Sequence, residues 1–60
     1  MRTGTKFFMN YNDNRCEARV VESYEHKGRI RYLLAIDTGK GFMLKYKEYW
    51  EDKLNNLIIK

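Results

Sequence analysis

At 60 residues, with 12 Lys+Arg against 8 Asp+Glu and a net charge of +4, the chain has room for one small, mildly basic domain. Its single cysteine, Cys16, and single histidine, His26, exclude an internal disulfide and an all-Cys/His zinc site within one chain. No apolar run exceeds five residues, against about 20 for a spanning helix, and with one thiol and no signal peptide a soluble cytoplasmic protein is expected.

The first element is a strand over 4–11, in which Thr5, Phe7, Met9 and Tyr11 share one side and Lys6, Phe8 and Asn10 the other. "NDNR" at 12–15 is turn chemistry, because Asn and Asp tolerate left-handed backbone. A second strand over 16–25 points Cys16, Ala18, Val20 and Tyr24 inward and Glu17, Arg19, Val21 and Ser23 outward. Glu22 interrupts the inward row, which predicts a bulge or a strand leaving the core. After the tight connection "HKG", a third strand over 29–37 turns Ile30, Tyr32, Leu34 and Ile36 inward. "DTGKG" then leads into a fourth strand over 41–47, with Phe42, Leu44 and Tyr46 joining the same inward face.

In the tail, Tyr46, Trp50, Leu54, Leu57 and Ile58 recur at helical spacing and predict a helix over 48–57. Acidic Glu48, Glu51 and Asp52 stand early in it and Lys60 late, as the helix dipole prefers. The alternative is a single turn followed by a short closing strand from "LIIK", and β-branched Ile58 and Ile59 keep 56–60 open between the two. The fold class is therefore mainly β with some α: a four-stranded antiparallel meander, curled into a small barrel or half-barrel, with a C-terminal helix.

Gly4, "NDN", "CEARV" (16–20) and "IDTG" (36–39), with a helical turn near the end, resemble the small barrels of the Tudor and Src-homology type over about positions 4–54. The resemblance implies a non-enzymatic binding module. In Tudor domains that read methylated side chains it implies an aromatic cage acting through cation–π attraction. Tyr11, Tyr24 and Phe42 are the candidate walls, but Thr38 stands where an aromatic residue normally follows the Asp of the turn, so the cage is incomplete. In size and outer-face composition, though in no motif, the chain is also similar to the small basic chromatin proteins of thermophilic archaea.

Catalytic signatures are missing. There is no Walker-type loop, no His-x-x-x-His and no nucleophile elbow, and "TGKG" sits in a hairpin rather than before a helix. Cys16 reads as a buried structural thiol, and Asp13, Glu17, Glu22 and Glu25 as solvated edge charges. These features point away from an enzyme and call for no cofactor or metal.

The outward face is the candidate site. It gathers Lys6, Phe8, Arg19, Val21, Arg29, Arg31, Leu33, Met43, Lys45 and Lys47, mixing cations with sizeable apolar groups where a solvated face would alternate to polar residues. Nucleic acid is the leading partner, with cations neutralising phosphates and the apolar groups pressing on bases. The rival reading is a protein interface, either a homodimer built sheet to sheet or a viral or mobile-element product that blocks a host protein. The bland alternative is that curvature buries Phe8, Val21 and Leu33 in a second small core.

Overall fold

The computed structural model describes residues 1–39 and 44–59. Strands β1 (Lys6–Tyr11), β2 (Asn14–His26), β3 (Arg29–Asp37) and β4 (Leu44–Trp50) are followed by a short helix, α1 (Glu51–Asn55), and a two-residue strand, β5 (Ile58–Ile59). They form one antiparallel sheet in the order β4-β3-β2-β1-β5, so the meander gains a fifth strand beside β1.

The first two hairpins close through two-residue turns with left-handed backbone at both positions. Asn12 and Asp13 (φ 49 and 63) stand between paired Tyr11 and Asn14, and Lys27 and Gly28 (φ 51 and 78) between paired His26 and Arg29. Such turns match the twist of the strands they join, and Asn, Asp and Gly tolerate them best. In the turn after β3, the Gly39 N–H donates to Asp37 Oδ1 at 2.8 Å, so Asp37 caps its own loop.

Alternation in the first three strands builds the core as expected. Met9, Cys16, Ala18, Val20, Tyr32, Leu34 and Ile36 are buried on one face, and Phe7, Tyr11 and Ile30 are packed around them. Leu54, the buried residue of α1, is fully enclosed on that face, which makes the helix a plug over the sheet.

Three expectations need correction. First, pairing passes from Val20↔Leu34 to Glu22↔Leu33, leaving Val21 as the extra residue of a bulge. The interruption at Glu22 is thus a bulge, and beyond it the parity of β2 reverses. Tyr24, expected inward, pairs with Arg31 on the outer face and is 44% exposed.

Second, β4 is offset by one residue from the expected facing. Lys45 and Lys47 pair with Ile36 and Leu34, on the core side, whereas Leu44 and Tyr46 pair with Asp37 and Ala35 on the outer side. Leu44 and Tyr46 are 41% and 61% exposed rather than core residues. The residue that completes the core beside Tyr32 is Tyr49, an odd number of positions from Tyr46. A β4 that buries Tyr49 must therefore expose Tyr46. Lysines can occupy the core side because β4 is an edge strand, where long stems run past the rim and keep their charged heads in water.

Third, the helix is shorter than 48–57. Glu48, Tyr49 and Trp50 stay in the sheet, paired with Leu33, Tyr32 and Arg31, and Ile58 and Ile59 pair with Met9 and Phe8 as the short strand. The Asn10 N–H donates to the Leu57 carbonyl at 2.9 Å, which extends that pairing back toward the helix.

Candidate functional site

The pairing splits the predicted site in two. Lys6, Phe8, Arg19, Arg31 and Leu33 are on the outer face, Arg29 continues it opposite His26, and Val21 stands at the bulge. Lys45 and Lys47 are on the other side of the sheet, so they do not share a face with the arginines. Met43 and Phe42 lie outside the described residues. The second small core does not form around Phe8 and Val21, which are 40% and 37% exposed.

The outer face is also less cationic than its sequence suggests. Arg29 donates to Asp52 Oδ1 at 3.3 Å and Arg31 Nε to Glu48 Oε2 at 3.3 Å, while Tyr24 OH donates to Glu48 Oε1 at 3.2 Å. Both guanidinium carbons also stand over the Trp50 ring, 4.2 and 4.7 Å from its centroid, and Arg15 stands 4.2 Å over Phe8. The two arginines are therefore anchored to one tryptophan and two carboxylates, with their donors and faces partly used. Asp52 feels desolvation, which would raise its pKa. Hydrogen bonds from backbone N–H groups and the Arg29 guanidinium outweigh that and hold its carboxyl below the ordinary range. Cross-strand neighbours Glu17, Glu22, Asp37 and Glu48 stand among Lys6, Arg15, Arg19, Arg29 and Arg31, so charge nearly cancels across this face.

A more uniform cationic surface runs along the free edge of β4. There an open cleft of about 530 Å³ lies between the β4 edge and the end of β1, lined by Lys47, Tyr49, Lys53, Tyr11 and Asn12, and also by Arg31, Glu48 and Trp50. A second cleft of about 140 Å³ shares Tyr11 and Asn12 and adds Asn14, Thr38 and Lys45. The two form one seam with lysines on the β4 and α1 side and a tyrosine and asparagines on the β1–β2 side. Tyr49, which lines the larger cleft together with Tyr11, has its phenol pushed up, first by burial and then by the neighbouring Tyr11.

Carboxylates near this seam have partners. Glu48 is held by Arg31 and Tyr24, Glu51 accepts from Tyr32 OH at 3.1 Å, and Asp52 is held by Arg29. Among the described residues, the two ion pairs are those of Arg29 and Arg31, and Lys45, Lys47 and Lys53 form none. What the arrangement can do chemically is neutralise an anionic chain while offering two phenol rings and several amide groups.

The aromatic cage does not assemble among the described residues. Tyr11 lines the smaller cleft beside Thr38, but Tyr24 is on the opposite face and ten positions along β2 from Tyr11's partner Asn14. That is roughly 30 Å of extended chain. Lys45 lines the position a ligand cation would seek.

Sequence reasoning missed Tyr49, Lys53 and Trp50 as surface-defining residues. The period-two signal that would have found Tyr49 and Trp50 was present in "LKYKEYW" but coincides with helical spacing toward Leu54. No group of three or more His, Cys, Asp or Glu side chains that could hold a metal ion occurs among the described residues. Nor is any helix there long and apolar enough to cross a membrane. The chain matches no family model, no curated protein and no solved structure.

Proposed function

We propose that this chain is a small non-enzymatic module that binds nucleic acid, and that it does so along the β4 seam rather than across the outer face. The observation that carries this reading is the gathering of Lys45, Lys47 and Lys53, all without ion-pair partners among the described residues, about clefts that also hold Tyr11 and Tyr49. Lysines without carboxylate partners release counterions when they meet phosphates, and the half-buried phenol rings of Tyr11 and Tyr49 offer surfaces for unpaired bases at the cleft. A single strand suits a narrow seam with two rings better than a duplex, whose bases are already stacked. The strand order, with a helical turn before a last strand that pairs with β1, supports reading the sheet as a half-barrel of the Tudor and Src-homology kind.

The test is fluorescence anisotropy of a labelled single-stranded oligonucleotide over a range of salt concentrations. Three lysine–phosphate contacts predict a log–log slope of about −2. The Lys45→Ala/Lys47→Ala/Lys53→Ala variant should lose most of the binding and flatten that slope. Arg29→Ala should retain binding, since this guanidinium is engaged with Asp52 and Trp50 and lines neither cleft. Absence of binding by the native chain, or loss in the arginine variant alone, overturns the proposal.

A further inference from the structure

Two adjacent rows of side chains run across the outer face. Cross-strand pairing sets one as Tyr46, Ala35, Arg19 and Lys6, and the next as Leu44, Asp37, Glu17, Phe8 and Ile59. The rows are two positions apart along each strand, about 7 Å. One row carries the cations and the other the acids. Tyr46, Leu44 and Phe8 are among the large apolar side chains most open to water, at 61%, 41% and 40%. Ala35, a short side chain between them, floors a depression of about 190 Å³ walled by Arg19, Glu17, Asp37 and Leu44.

We infer that this face is the interface of a symmetric homodimer, packed sheet to sheet about a two-fold axis that runs between the two rows. Such an axis lies between the copies, parallel to the rows, and carries each row of one copy onto the neighbouring row of the other. Arg19 then meets the partner's Glu17, Tyr46 meets the partner's Leu44, and the Ala35 depression leaves room for the partner's Asp37 beside Arg19. Each contact occurs twice, as an isologous interface requires.

Charge selects the occupant. A nucleic acid would need one sign across the face, whereas opposite signs at matched offsets from one line complement a second copy of the same surface. The exposed apolar side chains flank the charges, Tyr46 and Leu44 at the β4 end of the rows and Phe8 on β1, so that each copy brings apolar contact to either side of the central ion pairs. A standard interface covers roughly 800 Å² per copy. That is a modest part of the 4704 Å² accessible surface, and α1 packs on the other face of the sheet. The inference rests on these rows alone and stands apart from the seam.

Sedimentation velocity from about 5 to about 500 µM, a range in which faces of this size associate, tests it. The native chain should pass from monomer to dimer. Glu17→Arg leaves only cations at the paired positions 17 and 19, and Arg19→Glu leaves only acids. Each variant alone should dimerise at least about tenfold more weakly, because two attractive pairs become two repulsions. Mixed in equal amounts, the two variants should form a heterodimer, since every facing position again carries opposite charges. Both positions are exposed, and circular dichroism checks that the variants remain folded. A native chain that stays monomeric throughout, larger open-ended assemblies, or a mixture no more associated than its components overturns the inference.

Discussion

Replacing Leu54 with alanine removes the side chain by which α1 is anchored to the sheet. Leu54 is 0% exposed and packs into the cluster formed with Met9, Leu34 and Ile36. Truncating a fully enclosed leucine destabilises by about 2.7–5 kcal/mol, from lost transfer energy and the cavity left behind. A chain of this length has a total stability of about 3–9 kcal/mol, so the variant should be near the edge of folding. Each kcal/mol moves the midpoint of a small domain by roughly 4–8 °C, which predicts a fall of roughly 11–40 °C in a thermal melt followed by circular dichroism. Leu44→Ala is the matched control. Sequence alternation places Leu44 in the core, but β4 exposes it, and its truncation should change stability by no more than about 0.5 kcal/mol. A Leu54→Ala melt within about 4 °C of the native chain, or a Leu44→Ala loss of similar size to that of Leu54→Ala, would refute the packing described for β4 and α1.

Other substitutions probe the turns and the titrating groups. Lys27 has φ 51, a left-handed conformation that a lysine adopts under strain, so Lys27→Asn should raise stability by about 0.5–1 kcal/mol, read as a higher urea midpoint with the slope unchanged. Asp52 has its carboxyl held below the ordinary value of 3.8, so its contribution is present above that value and fades as pH falls through the folded one. Asp52→Asn should therefore remove part of the acid-side loss of stability, and an unchanged acid profile would count against the Arg29 pair. Tyr32 is raised above 10.0 by burial and then by its bond to Glu51, so its contribution is present below pH 10.0 and fades as pH rises through the folded value. Tyr32→Phe should flatten the alkaline limb of the stability profile, and an alkaline limb identical to that of the native chain would show that Tyr32 is not what titrates there.

How much was legible in the sequence differs strand by strand. In β1, the first half of β2 and β3, the inward positions are apolar without interruption, and Met9, Cys16, Ala18, Val20, Leu34 and Ile36 are buried as that pattern requires. The bulge was visible as a misplaced Glu22, but its consequence was not, because one extra residue at Val21 reverses every side chain after it, Tyr24 included. In β4 the local pattern pointed the wrong way: "LKYK" looks like two core residues between two surface lysines. The facing is decided instead by Tyr49 against Tyr32 and Trp50 over Arg31, contacts made with a strand more than fifteen positions away in sequence. The site followed the same logic. A count of cations could find Arg29, Arg31, Lys45 and Lys47, but only register could reveal that two are tied to carboxylates and two line a seam with Tyr11.

The central claim is that nucleic acid lies along the β4 seam. The measurement that addresses it most directly is a titration of the isotope-labelled chain with a single-stranded oligonucleotide, followed amide by amide by nuclear magnetic resonance. The account predicts that Tyr11, Asn12, Lys45, Lys47, Tyr49 and Lys53 shift together with one affinity while Arg19, Ala35 and Glu17 remain in place. Shifts centred on Arg19, Ala35 and Tyr46, with the seam undisturbed, would contradict it.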